Sequence, residues 1–158
     1  MNSTFRTICI VTLCALLGPL HNEASAADDN DAAGRVAAAL LNDYAAGVER
    51  GGLERKERVA SEKRFTPGFK ARYREAEKQA WKADPEMGWS ADPLLQAQDV
   101  PSGKFQAAEM RREADGTVRG VLVVFKKDGK RLADWPGVPF AAVEEDGVWK
   151  VSALGDIK

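Results

Sequence analysis

From Ala32 to Glu49 the apolar residues Val36, Leu40, Leu41, Tyr44 and Val48 recur at spacings of three and four. That period puts them on one face of an α-helix. The acidic stretch Asp28–Asp31 offers an N-cap, and Gly51-Gly52 a stop. Leu53 to Lys63 fits a short second helix with Leu53 and Val59 as its few apolar positions. Phe65-Thr66-Pro67 is a start signal: Thr66 can cap, and Pro67 suits the first helical position, where its missing N–H costs nothing. The third helix should run to about Ala83, with Phe69, Tyr73, Ala76 and Ala80 on one stripe and Lys70, Arg74 and Lys78 on another. Pro85, Pro93 and Pro101 make residues 84–104 mostly loop, with room for one helical turn at Asp92–Ala97.

Beyond that loop the pattern becomes that of strands. Three Asp-Gly pairs, 115–116, 128–129 and 146–147, mark tight turns, because both residue types tolerate positive φ. Between them strands are predicted at Phe105–Arg112, Thr117–Lys126, Val138–Glu144 and Val148–Leu154. Val121–Phe125 is apolar on both faces, as in a central strand covered on both sides. Trp149, Val151 and Ala153 share one face of the last strand, and Lys150 and Ser152 the other. Short turns join antiparallel neighbours. The expected class is therefore α+β, with N-terminal helices packed on an antiparallel sheet of about four strands.

The first residues change the inventory of available chemistry. Arg6 precedes an apolar run, Ile8–Leu17, that is too short to span a bilayer comfortably. Gly18-Pro19 breaks it, and Ala24-Ser25-Ala26 supplies small residues where a signal peptidase reads. Residues 1–26 therefore read as a signal peptide, cleaved after Ala26 or Ala27, and residues 27–158 as one domain destined for the periplasm. The competing reading is an uncleaved membrane anchor. A lipid anchor fits poorly, since neither Cys9 nor Cys14 follows a small residue. Cleavage removes both cysteines and the single histidine, His21. The mature chain then has no disulfide, thiol nucleophile or histidine base, and no His or Cys to hold zinc. No cofactor or metal is expected, and only carboxylates, tyrosines, lysines and hydroxyls remain for acid–base work.

The whole chain of 158 residues carries 23 Lys and Arg against 24 Asp and Glu, a net charge of -1. With 44% hydrophobic residues this excludes a wholly disordered chain, and the balance gives no reason to expect a nucleic-acid partner. The charge is unevenly placed. Arg50–Arg74 holds nine basic residues and three Glu, a local excess of +6. That excess suits an anionic partner, or simply a pair of solvated helix faces.

Three segments carry a family resemblance: Phe65-Thr66-Pro67-Gly68-Phe69-Lys70-Ala71-Arg72-Tyr73, Asp92-Pro93-Leu94-Leu95-Gln96-Ala97-Gln98-Asp99 and Gly147-Val148-Trp149-Lys150-Val151. In this order the chain resembles small exported bacterial proteins grouped as domain-of-unknown-function family 3828, over roughly Ala32 to Leu154. Those proteins are similar to the nuclear transport factor 2-like (cystatin-like) fold. The resemblance implies a curved sheet wrapping the helices into a cone. In related folds the conical pocket binds a small apolar molecule, houses an active site or is packed shut. The family brings no established activity.

Within that frame the candidate binding residues are Tyr73, Trp89, Asp92, Gln98 and Asp99, at the open end of the cone. Asp92 before Pro93 is equally a turn opener, and Asp99 equally a cap ahead of Pro101. Trp89 lies in the loop Met87-Gly88-Trp89-Ser90, where a tryptophan often marks a contact surface, whereas Trp149 fits the core. Trp135 precedes Pro136 in a strand connection. Pro101-Ser102-Gly103-Lys104 lacks the glycine spacing of a phosphate loop. The expected function is an exported, non-catalytic binding or accessory domain. It would recognise a protein partner or small ligand in the cell envelope, as an accessory of a larger complex or as an immunity protein against a toxin. The alternative is a small pocket enzyme with Asp99 as general base beside Tyr44 or Tyr73 as donor, since a carboxylate–tyrosine pair runs proton transfers without histidine.

Overall fold

The structure, a computed structural model, describes residues 23–135 and 137–158. The predicted leader lies outside the described residues as far as Asn22, and Pro136 lies outside them as well. Three helices, α1 (Glu23–Arg50), α2 (Arg55–Ser61) and α3 (Pro67–Ala83), precede four strands, β1 (Lys104–Arg112), β2 (Val118–Phe125), β3 (Val138–Glu145) and β4 (Val148–Leu154). The strands form one antiparallel sheet in the order β1-β2-β3-β4, so the class is α+β with helices packed against the sheet.

Helix α1 lies against the sheet and meets all four strands, most extensively β1. Its buried face is Ala33, Ala37, Leu40, Leu41, Tyr44 and Ala45. Close approach is possible because Gly34 has no side chain: a Cβ there would overlap Met110 Sδ and Ala107 Cβ. The helix begins nine residues before the apolar spacing predicts. Asp28–Asp31 therefore lie inside it rather than capping it, and Asp29 pairs with Arg112 of β1 at 2.8 Å. No Gly or Pro interrupts Glu23–Ala33, so the backbone is free to stay helical beyond the stretch that faces the sheet.

Helix α3 starts as its sequence requires, with Pro67 in the first turn and Thr66 Oγ1 accepting a hydrogen bond from Phe69 N at 3.1 Å. Its buried residues are Phe69 and Tyr73. Phe65 stacks on Phe69 with ring centroids 4.1 Å apart. The segment before α3 also pairs with the sheet: Val151 N donates to Arg64 O and Thr66 N to Val151 O, a short parallel bridge along β4.

The three Asp-Gly turns are present and of two kinds. At Asp146-Gly147 both residues have positive φ, 53° and 75°, as a two-residue hairpin of the mirror-image type needs. At 115–116 and 128–129 only the glycine is left-handed. There Gly116 N donates to Glu113 O and Gly129 N to Lys126 O, a turn followed by a left-handed residue. β2 is an inner strand, with Leu122, Val123 and Val124 all buried. The connection after it returns over its end, where Leu132 N donates to Val124 O and Leu132 and Trp135 pack on the core. Among the described residues no helix is long and apolar enough to cross a membrane.

Candidate functional site

Asp92 stands at the centre of the loop between α3 and β1. It is 2% exposed, and both carboxylate oxygens are engaged. Oδ1 accepts from Leu94 N at 2.9 Å and Leu95 N at 3.1 Å. Oδ2 accepts from Tyr44 Oη at 2.7 Å and lies 3.3 Å from Arg55 Nε. The backbone closes around it, with Asp92 N donating to Ala97 O and Gln96 N to Asp92 O. The Gln96 N–Asp92 O bond is a single turn of helical type, ended by left-handed Gln96 at φ 55°, inside the tight loop Asp92–Ala97. Leu94 and Leu95 drop into the core from it. A buried carboxylate with three hydrogen-bond donors and one ion-pair partner is well compensated, so Asp92 ties α1, α2 and the loop together.

The two tyrosines beside it are buried and held protonated. Burial first, and then the Asp92 charge and hydrogen bond, pushes the Tyr44 phenol far above its ordinary range. Burial, then the charges of Asp92 and Glu77, raises Tyr73 as well. Tyr73 Oη is buried without a hydrogen-bond partner among the described residues. Its ring lies against Trp89, with centroids 5.2 Å apart and planes tilted by 58°.

Outside this buried cluster the surface becomes apolar. Asp84 caps the end of α3 and accepts from Glu86 N and Met87 N through Oδ1. Gly88 N then donates to Asp84 O. Gly88 has φ +66°, and a Cβ there would lie 2.9 Å from the Trp81 ring. The indole of Trp81 therefore rests on bare backbone. Trp81 and Met87 remain 49% and 60% exposed. With Trp89, Glu54, Arg55, Lys56 and Glu77 they line a groove of about 240 Å³. A larger concavity of about 920 Å³ lies between Ser102–Lys104 and Lys126–Asp128, with Phe125 and Leu132 its large apolar lining.

The structure thus brings together Tyr73, Trp89 and Asp92 of the five predicted site residues. Tyr73 and Asp92 are buried, and Trp89 is half-buried. Gln98 is exposed and reaches the same loop, Nε2 donating to Ser90 O at 3.4 Å. Asp99 is exposed. Tyr44 bonds to Asp92, not Asp99, and Asp92 is the carboxylate acting on Tyr73. Trp149 is buried in the core, and Trp135 is half-buried with Nε1 lacking a partner among the described residues. Sequence reading missed Arg55, Trp81 and Met87. The Asp84-Pro85-x-x-Gly88-Trp89 turn was the available signal for Trp81 and Met87, since it folds the chain back onto the end of α3, whereas nothing local to Arg55 pointed to Asp92. Among the described residues no cluster of His, Cys, Asp and Glu has the arrangement of a metal site. No family model, no curated protein and no solved structure matches this chain.

Proposed function

We propose that the chain is an exported, non-catalytic binding domain that recognises a protein partner in the cell envelope through the groove of Trp81, Met87 and Trp89. The observation that carries this reading is the exposure of Trp81 and Met87 beside half-buried Trp89 on one short stretch of surface. Large apolar side chains grouped and rimmed by charge mark contact surfaces. The buried cluster beneath supports the same reading. Both oxygens of Asp92 are committed to internal donors, and Tyr44 is committed to Asp92. They hold the loop that carries Trp89 rather than face a substrate. An envelope accessory role and a toxin-immunity role both use such a surface, and they differ in the partner retrieved.

The test is affinity capture from an envelope extract with the chain and its Trp81→Ala/Met87→Ala variant, with each captured protein identified. The reading expects one partner retained by the parent and lost by the variant, with the melting temperature shifted by less than about 4 °C. Equal retention by both would end it. Trp89→Ala is the poorer probe, because Trp89 also packs on Tyr73.

A further inference from the structure

Helices α2 and α3 lie side by side and run in opposite directions. At one end Lys70 Nζ donates to Ala60 O at 2.9 Å. At the other, Arg55 and Lys56 share the aromatic groove with Glu77 and Trp81. Between the helices a second cleft of about 100 Å³ has Val59, Ala60 and Tyr73 as its apolar lining and Lys56, Lys70 and Arg74 as its charges. Among the described residues no acidic side chain lines it. Lys56 lines both cleft and groove, which lie end to end along the same face of α3 and are treated together as one furrow. From Lys70 to Trp81 it follows α3 for about 16 Å at the helical rise.

The two ends of this furrow ask for different chemistry. Lys70 spends one of its three donors on Ala60 O and keeps two. Arg74 adds a cation, and so does Lys56, whose Nζ lies 3.6 Å from the exposed Glu54 carboxylate, in a region with a local excess of +6. A purely apolar occupant would desolvate these charges without compensation. A basic one would be repelled. Trp81, Met87 and Trp89, in turn, need an apolar group to cover them.

We propose that the furrow binds an extended segment of the partner protein that carries acidic side chains at one end and a large apolar side chain at the other. The acids meet Lys56, Lys70 and Arg74, and the apolar side chain meets Trp81, Met87 and Trp89. About five extended residues cover the span at roughly 3.3 Å each. The inference rests on the reading of the Trp81–Trp89 surface as a partner site and adds the charge and order of what it takes.

The experiment uses the chain with fluorescent peptides Asp-Asp-Ser-Leu-Phe, Asn-Asn-Ser-Leu-Phe and Asp-Asp-Ser-Ser-Ser, followed by anisotropy at low and physiological salt. The first peptide should bind at least about tenfold tighter than the second, with the advantage shrinking as salt rises. Lys70→Gln/Arg74→Gln should abolish that ratio, and Arg74→Gln alone should reduce it if the double variant fails to fold. Trp81→Ala should weaken the first two peptides equally and leave the third, already weak, unchanged. Equal binding of the Asp and Asn peptides, or no binding of any peptide at 1 mM, overturns the proposal. Preference for phosphatidylglycerol vesicles over the acidic peptide overturns it too, in favour of a lipid surface. Partner capture that needs Trp81 and Met87, together with charge-blind peptide binding, sinks the acidic occupant and leaves the surface standing. Tight acidic-peptide binding that survives Trp81→Ala/Met87→Ala sinks the surface itself.

Discussion

Tyr44 Oη donates to Asp92 Oδ2 over 2.7 Å inside the protein, joining α1 to a loop 48 residues further along the chain. The same carboxylate caps Leu94 N and Leu95 N and pairs with Arg55. Asp92→Ala orphans two buried N–H groups and a phenol at once. It should lower unfolding free energy by about 2–4 kcal/mol in urea titration. A loss below about 0.5 kcal/mol, the size of an ordinary surface change, would show that the loop is held some other way.

The two tyrosines should respond oppositely to loss of the hydroxyl. Tyr44→Phe removes a satisfied bond and should cost about 1 kcal/mol. Tyr73→Phe removes a buried hydroxyl that has no partner among the described residues, so stability should be unchanged or slightly higher. Equal destabilisation in both variants would mean that Tyr73 Oη has a partner, such as a buried water.

These are the only two tyrosines in the chain, which makes their ionisation directly visible. Both have folded-state pKa values raised by burial and by Asp92. The unfolded chain therefore loses its phenolic protons first, near pH 10. Their contribution to stability is fully present below that pH and falls as pH rises above it. Absorbance at 295 nm should stay flat past pH 10 and rise only with alkaline unfolding. Smooth titration of either phenol near pH 10 in the folded protein would contradict its burial.

At the acid end Glu62 behaves in the reverse sense. Its hydrogen bonds to Arg64 hold its carboxyl below the usual range. It contributes stability above the ordinary carboxyl pKa of about 4.3, and that contribution is lost as pH falls through the lower folded value. Glu62→Gln should therefore flatten part of the acid arm of the stability profile. An unchanged arm would assign acid sensitivity elsewhere.

Gly88→Ala places a Cβ 2.9 Å from the Trp81 ring at a residue with φ +66°. The substitution should cost about 1–2 kcal/mol and displace the Trp81 indole. Trp fluorescence and partner capture should change together. Unaltered capture would separate the groove from recognition.

The helix–loop–strand plan was readable from local signals. Thr66-Pro67 opens α3, and the three Asp-Gly pairs turn the chain at the predicted places. β4 has the predicted bounds, Val148–Leu154. These features depend on a few neighbouring residues, and so a linear pattern contains them. The start of α1 escaped because apolar spacing records only the part of a helix that is buried. Glu23–Ala32 lengthens α1 without an apolar stripe of its own.

The linear chain determined the class of the fold, its turn chemistry and the uneven charge, since each is written in residue types and short spacings. It also singled out Asp92 and Trp89. Only the tertiary structure decided that Asp92 is a buried tie and that Asp99 stays at the surface. It alone set Trp81 and Met87 beside Trp89, and Lys70 and Arg74 beside Lys56. Such neighbours come from a loop folding back on its own helix and from two helices packing side by side. No periodicity encodes the distance between two side chains that packing brings together.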